Sequence, residues 1–380
     1  MCLGDVRISP RASRFLRFFS SQNYTVSILG YGDQDSSSSI FKNFRIPSKS
    51  FFWRIPVIRR LTRHLPSLLL RLSSRLSYLS LKLNNWHLNL TSFKKSLTKS
   101  GFDYIVVEDL HLLPFAFEIK KDSKVLFDAR EYYTRQFEDN YLWSYAEKPL
   151  RLFLCDNYLK KCDHIFTVSQ GLSDQYLKDF KVNPSLLLSV PNSFNLKQRC
   201  TARKIKLVHH GVLNANRNLY NLIDIFSLLE SRFSFDLYLK GSFSSIKKFK
   251  KYCSSFNDLN VIDPVPFEFL VPTLNKYDIG FYYLEPNGFN LRHSLPNKLF
   301  EYIQARLAVA IGPSPEMMKI VDHYSCGFVS KQFTVESMAD TLNSLTPKQI
   351  DDAKNMSNLA SNELCWEVES KKLLPILSNI

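Results

Sequence analysis

The 380-residue sequence predicts an α/β protein made of two doubly wound domains in tandem. Three observations predict it. Short apolar, β-branched runs alternate with longer amphipathic ones along most of the chain. The runs fall into two series, each five or six strands long. A polar junction, PNSFNLKQRCTARK at about 191–204, divides the series.

In the first half the strand candidates are TVSILGYG (25–32), YIVVED (104–109), KVLFDAR (124–130), HIFTVS (164–169) and LLLSV (186–190). In the second they are IKLVHHG (205–211), FDLYLKG (235–241), LNVIDPV (259–265), DIGFYYLE (278–285), LAVAIG (307–312) and GFVS (327–330). Near-continuous hydrophobic strands separated by helices indicate parallel sheets covered on both faces. Open parallel sheets bind ligands at the carboxyl ends of their strands, so the natural site of two such sheets is the cleft between them. The chain has no internal repeat and no Gly-rich dinucleotide fingerprint, which disfavours a nicotinamide or flavin enzyme.

Composition narrows the class. Hydrophobic residues make up 45% and aromatics 14%, ample for a packed core. The seven cysteines, at 2, 155, 162, 200, 253, 326 and 365, show no repeated spacing. Free thiols in a reducing cytoplasm are expected, not a zinc site or a disulfide framework. The opening MCLGDVRISPRASRF has acids and arginines where a signal peptide would be apolar. The longest apolar candidate, LPSLLLRLSSRLSYLSL, is broken by Arg71 and Arg75, so a spanning helix is not expected. The sequence predicts a soluble protein or one lying on a surface.

The net charge of +15 is concentrated. From Ser36 to Phe102 there is no Asp or Glu, while Lys and Arg recur from Lys42 to Lys99. Among them lie Phe51, Phe52, Trp53, Ile55, Leu61, Leu65 and Trp86. Basic residues interleaved with aromatics and leucines suit an anionic membrane surface, where each Lys or Arg contributes about 1 kcal/mol. A solvated basic face is the plain alternative. No nucleic-acid module accompanies the charge, so nucleic acid is not an expected partner.

Two stretches carry candidate chemistry. In HHGVLNANRNLYNLIDIFSLLES a strand leads into a helix expected near Asn218, with Leu219, Leu222, Ile223, Phe226 and Leu229 on one face. Gly211 allows a tight exit from the strand, and Arg217 stands at the helix entrance, a phosphate-binding arrangement or an ordinary surface arginine. In SLPNKLFEYIQARLAVAIG, Ser294 can cap a helix, and Pro296 suits its first turn. Leu299, Phe300 and Ile303 form the expected buried face; Lys298 and Glu301, three apart, share the opposite face towards the mouth of the sheet. The pair is a weak surface salt bridge or part of a grip. With Arg217, Lys298 and Glu301 read as a nucleotide-diphosphate clamp without metal: cations for the phosphates, a carboxylate for the ribose hydroxyls.

These stretches resemble the retaining family 4 glycosyltransferases of the GT-B fold. SLPNKLFEYIQARLAVAIG is similar to their PNKlfEYlaaGkPVv block, and KLVHHGVLNANRNLYNLIDIF to their i.y.G.l...rnl..li.a block. HIFTVSQGLSDQYLKDFKVNPSLLLSVPNS, KVLFDAREYY and ELCWEVESKKL resemble their vitVS, lvyD.hE and terminal sWe....kl blocks, covering most of 100–375 in order. The resemblance implies two Rossmann-like domains facing across a cleft, at 1–190 for the acceptor and 205–360 for the nucleotide sugar. A terminal helix, 361–380, would cross back to the first. It implies sugar transfer from a UDP or GDP sugar with retention, without metal or cofactor. Glu301 would hold the ribose, Lys298 and Arg217 would neutralise the leaving diphosphate, and backbone near Val265 and Pro266 would meet the base. Gly211, His293, Ser294 and Asn297 would complete the donor pocket.

Two departures go with the resemblance. His293 stands where many members carry a sugar-contacting glutamate, with Glu285 as a possible substitute. Arg130, between Asp128 and Glu131, stands for the usual histidine of D.hE. His111, in EDLHLLP, is an acceptor-side contact or a structural histidine. Only MCL precedes the stretch that resembles the loop and helix after the family's first strand, so either the start is misassigned or that strand is truncated, which would weaken the first sheet. Gly4 would face the donor, with Arg7 and Arg11 near the acceptor. The basic stretch 36–102 falls in the acceptor domain, which suggests a lipid-linked or polysaccharide acceptor. Surface polysaccharide synthesis on the inner, cytoplasmic face of a membrane would follow. A catalytically silent scaffold of the same fold and a nucleotide-sugar epimerase are the competing readings.

Overall fold

The computed structural model describes residues 1–3, 9–30, 41–46, 56–213 and 218–380. They form two compact units. The first comprises Met1–Leu188, Gly288–Asn290 and Lys372–Ile380; the second comprises Ser189–Asn287 and Leu291–Lys371.

The first unit contains β1 (Val26–Gly30), β2 (Phe41–Arg45), β3 (Tyr104–Val107), β4 (Lys124–Ala129), β5 (His164–Thr167) and β6 (Ser185–Leu186). β1 and β2 form one parallel pair, and β3-β4-β5-β6 a parallel sheet in that order. The first four apolar runs of the first half each contain one of these strands, residues 31–32 of the first lying outside the described residues, and the fifth, LLLSV, shares only Leu186 with β6. The last is cut short: after Leu186, Leu187 and Val190 stay buried without extending the ladder. β2 was not expected. It lies in the basic stretch, where Lys42 and Arg45 conceal a strand whose Phe44 is buried. The centre of the sheet is β4, whose Val125, Leu126, Phe127 and Ala129 are fully buried, as a strand covered on both faces requires.

The second unit contains β7 (Ile205–Val212), β8 (Phe233–Lys240), β9 (Leu259–Ile262), β10 (Ile279–Tyr282), β11 (Ala308–Ile311) and β12 (Gly327–Val329). All six are parallel, in the order β12-β11-β10-β7-β8-β9. The chain therefore runs outward from β7 to β9, then returns to the other side of β7 at β10. That reversal opens a crevice at the carboxyl ends of β7 and β10, because the connections leaving the two strands diverge to opposite faces.

All seven cysteines are free thiols. No helix among the described residues is long and apolar enough to cross a membrane.

Candidate functional site

The switch point of the second unit is where the sequence candidates gather. Gly211 lies near the end of β7, and the helix Asn297–Gln304 follows from β10, its neighbour in the sheet. A Cβ at Gly211 would lie 2.9 Å from Lys298 Cε and 3.2 Å from Nζ, so the lysine occupies the space that the glycine leaves. Its ammonium also sits 5.6 Å from the centre of the Tyr282 ring, within cation–π range.

The helix itself departs from expectation in two ways. Its N-cap is Pro296, in extended conformation; Ser294 does not cap it but donates from Oγ to the Leu291 carbonyl at 2.9 Å. Nor does Glu301 lie on a solvated face: it is 3% exposed, and every residue from Leu299 to Gln304 is buried. The cause is Gly280 in β10. A Cβ there would come within 2.1 Å of Tyr302 Cγ, so only glycine lets the tyrosine ring lie directly on the strand and draw the helix onto the sheet. An exposed ion pair is thereby excluded as the role of Glu301.

Two residues that the sequence reading passed over stand beside this carboxylate and beside Gly211. His210 Nε2 lies 3.1 Å from Glu301 Oε2, with the ring edge-on to Tyr302. His209 Nδ1 lies 2.9 Å from the Phe281 carbonyl oxygen, which can only accept, so Nδ1 carries the proton. In the neutral ring Nε2 is then an acceptor, 3.6 Å from where a Gly211 Cβ would stand. The available signal was the histidine pair at the end of a strand, immediately before Gly211.

His293 is half-buried, its Nδ1 3.4 Å from Oε1 of Glu316. Glu316 is buried at the start of the helix Pro315–Tyr324 and accepts from Lys319 Nζ at 3.2 Å on both oxygens. A carboxylate therefore stands beside the histidine that replaces the expected glutamate. Glu285, weighed as a substitute, is exposed beyond β10. Asn297 is half-buried as the first residue of its helix. Val265 and Pro266 follow β9 on the same carboxyl edge of the sheet; Val265 is half-buried, and the exposed Pro266 caps the helix Phe267–Leu274. Arg217 lies outside the described residues.

In the first unit the candidates also collect at strand ends. Asp128, near the end of β4, is fully buried and takes a two-pronged ion pair from Arg11, Nε to Oδ2 at 2.6 Å and Nη2 to Oδ1 at 2.7 Å. Arg11 sits on the helix Pro10–Ser21, and its Nη1 donates to the Leu187 carbonyl at 2.9 Å. This geometry makes Asp128 a tie between helix and sheet, with its oxygens turned to Arg11. Arg130 donates to the Glu108 carbonyl at 3.1 Å, and its Nη1 is 3.9 Å from the Glu108 carboxylate. Glu131 is exposed and accepts from Gln136. His111 is held by Asp109, whose Oδ1 accepts from the His111 backbone at 2.9 Å and lies 3.1 Å from its Nδ1. Burial opposes the Asp109 charge, but these contacts with His111 hold its carboxyl below the ordinary value. Gly4 and Arg7 lie outside the described residues.

The basic stretch is partly neutralised within the first unit. Arg63 Nε and His64 Nδ1 lie 2.8 and 3.0 Å from Glu147, and Lys94 Nζ 2.8 Å from Glu118. Arg71, at the end of the helix Pro56–Leu72, packs its guanidinium 4.1 Å from the Tyr145 ring centre and donates to the Tyr145 carbonyl at 2.9 Å.

No family model matches the chain. A curated relative, an uncharacterized glycosyltransferase of Haemophilus influenzae, is 23% identical over 266 residues, 68% of this chain and 71% of its own. Among solved structures, WaaG, a glycosyltransferase involved in lipopolysaccharide biosynthesis, superposes with a TM-score of 0.65 over 98% of this chain and 96% of its own, at 9% identity. A variant of S. aureus TarM, in complex with fondaparinux, α-GlcNAc-glycerol and UDP, gives 0.62 over 76% of this chain at 13% identity. The match spans only 59% of the TarM chain. The fold is therefore GT-B, and the chain resembles the glycosyltransferases that share it.

Proposed function

We propose that this protein is a glycosyltransferase that moves a sugar from a UDP or GDP sugar to a lipid-linked saccharide, with retention and without a metal, in surface polysaccharide synthesis. The observation that carries the reading is the Lys298 side chain laid over Gly211 at the switch point of a parallel sheet, with Glu301 buried nearby on the same helix. In glycosyl transfer the anomeric carbon–oxygen bond breaks, and its electron pair stays on the leaving diphosphate. The acceptor oxygen bonds to that carbon and passes its proton to an oxygen of the departing diphosphate. A fixed cation beside the diphosphate stabilises that developing charge more than it stabilises the donor at rest. Lys298 has this role, with Arg217 as a second cation, and Glu301 accepts from the ribose hydroxyls. A histidine in place of the sugar-contacting glutamate would suit a silent scaffold, but the Glu316 carboxylate beside His293 favours a working sugar pocket.

UDP in the TarM complex supports a nucleotide donor, and the role of WaaG supports a polysaccharide product. The decisive experiment is a thermal-shift and turnover screen against UDP, GDP, ADP and TDP sugars. A true donor at a hundred times its Kd stabilises the protein by about 2.7 kcal/mol, and Glu301→Ala removes the shift. If no nucleotide sugar moves the melting temperature, the donor assignment is wrong.

The membrane part of the reading rests on a patch of the first unit. Tyr141 and Leu142, on the helix Tyr141–Ala146, are 79% and 75% exposed, and Leu72 is exposed beside the Arg71 that packs on Tyr145. Aromatic rings beside a cation match an anionic interface. Sedimentation with phosphatidylglycerol vesicles at low salt is the test. Wild-type protein is expected to pellet, and Leu142→Asp to remain in the supernatant.

A further inference from the structure

The buried carboxylate of Glu301 has a companion that donor binding has not yet used. His210, the residue before Gly211 on β7, brings its Nε2 to 3.1 Å from Glu301 Oε2, and both residues are buried. An ionised carboxylate can only accept, so the nitrogen that faces it carries a proton. This Nε2 is shielded from water and makes no aligned hydrogen bond among the described residues. A donor and an acceptor at such a distance but out of line need only a small turn to bond. Contacts of this kind tighten when a ligand engages one of the partners.

The imidazole is held by the sheet and by the helix above it. Its neighbour across the sheet is Tyr238 of β8. On the helix side the Tyr302 ring meets it edge-on at 5.4 Å. Tyr302 is itself seated on Gly280, with its hydroxyl donating to the Phe281 carbonyl at 3.4 Å. Val208 of β7 pairs with that same Gly280, so the strand carrying His210 and the strand seating Tyr302 are neighbours in the sheet. Glu301, by contrast, hangs on three side-chain torsions. A carboxylate out of water without a charge partner takes up a proton or turns away. Lys298, a turn earlier on the helix, extends to the space over Gly211 and to the Tyr282 ring.

We propose that His210 is a positioning residue for the donor: it pairs the charge of Glu301 and fixes Oε2, so that the carboxylate meets the ribose hydroxyls in one orientation. The inference rests on the reading of Glu301 as the acceptor for those hydroxyls. A carboxylate accepts at about four sites on its two oxygens, so a contact on Oε2 is compatible with two hydroxyls. His210 Nε2 is enclosed, so the histidine acts through Glu301 and not on the sugar. The consequence is selectivity. A hydroxyl bonded to a fixed, charged acceptor gains more than one bonded to a mobile or protonated acceptor. The His210 contact therefore sets how strongly the site prefers a ribose to a sugar without its hydroxyls.

Calorimetric titration with UDP, GDP and their 2′,3′-dideoxy forms tests it. Wild-type protein is expected to bind the ribose form of its nucleotide about tenfold or more tightly than the dideoxy form. His210→Phe, similar in shape but without a donor, should weaken the ribose form to nearly the affinity of the dideoxy form and leave the dideoxy affinity unchanged. His210→Gln, whose amide nitrogen reaches where Nε2 stood, should restore most of the preference. His210→Asn, polar but too short to reach Oε2, should lose it, which keeps the comparison available where the phenylalanine variant folds poorly. A wild-type preference in both His210→Phe and His210→Asn would overturn the proposal. So would equal losses of the ribose and dideoxy forms, the mark of a histidine that only supports the fold. A wild-type protein that binds the two forms equally, or binds neither, overturns the reading of Glu301 itself, and the proposal falls with it.

Discussion

The Lys298 side chain lies where a Gly211 side chain would be, with its Cε 2.9 Å from the position of a Cβ. A single methyl at residue 211 displaces the far end of a flexible lysine, and it also strains the backbone, whose φ of 157° L side chains rarely adopt. Gly211→Ala is expected to lower the melting temperature modestly and to weaken UDP or GDP binding to the folded protein about tenfold, or about 1.4 kcal/mol. Calorimetric titration checks this. Unchanged affinity would place Lys298 away from the diphosphate.

Lys298→Ala removes the cation but leaves the half-buried helix end intact. If the ammonium acts on the leaving diphosphate, kcat falls by about 10²–10³ while KM for the donor changes less. Steady-state kinetics with the donor found in the screen decide it; a loss confined to KM would make Lys298 a binding residue only.

Arg11 and Asp128 form a buried ion pair, 3% and 0% exposed. Removing one partner strands the other charge away from water. Arg11→Met is expected to cost about 3–5 kcal/mol, and Arg11→Met with Asp128→Leu to recover much of it. Urea denaturation of the two variants gives the comparison. A double variant no better than the single would mean that Asp128 has a further role.

Glu108 is buried, and burial raises its carboxyl above the ordinary value near 4.5, against the pull of Arg130. A carboxyl whose folded value is raised holds its proton longer in the native state than in the unfolded one. Its contribution to stability is therefore fullest below 4.5 and declines as pH rises through the folded value. Glu108→Gln should flatten this decline and stabilise the protein at neutral pH. Denaturation curves from pH 4 to pH 8 test it, and a variant that is less stable at every pH would contradict the assignment.

The sheets were legible because most of their strands are apolar throughout: every run from TVSILGYG to GFVS except LLLSV, which shares only Leu186 with β6, contains the core of a strand. β2 escaped because FKNFR carries Lys42, Asn43 and Arg45 between its phenylalanines, and charge concealed the strand. Lys298 and Gly211 were legible as types at meaningful places, a cation at a helix start and a glycine at a strand exit. His209, His210 and Glu316 were not. Their significance lies in what they face, and residues so far apart in sequence share no local period.

By itself the sequence determined two parallel α/β sheets, a concentrated basic stretch and a lysine–glutamate pair at a strand-to-helix mouth. Hydrophobic periodicity and charge are local properties, readable one window at a time. Only the tertiary structure decided which side of the helix meets water. Glu301 is buried because Gly280, 21 positions earlier, lets Tyr302 pack directly against β10. The order of β7 and β10 brings Gly211 to Lys298. Packing between distant segments turned an apparent surface ion pair into a buried carboxylate and a positioned cation.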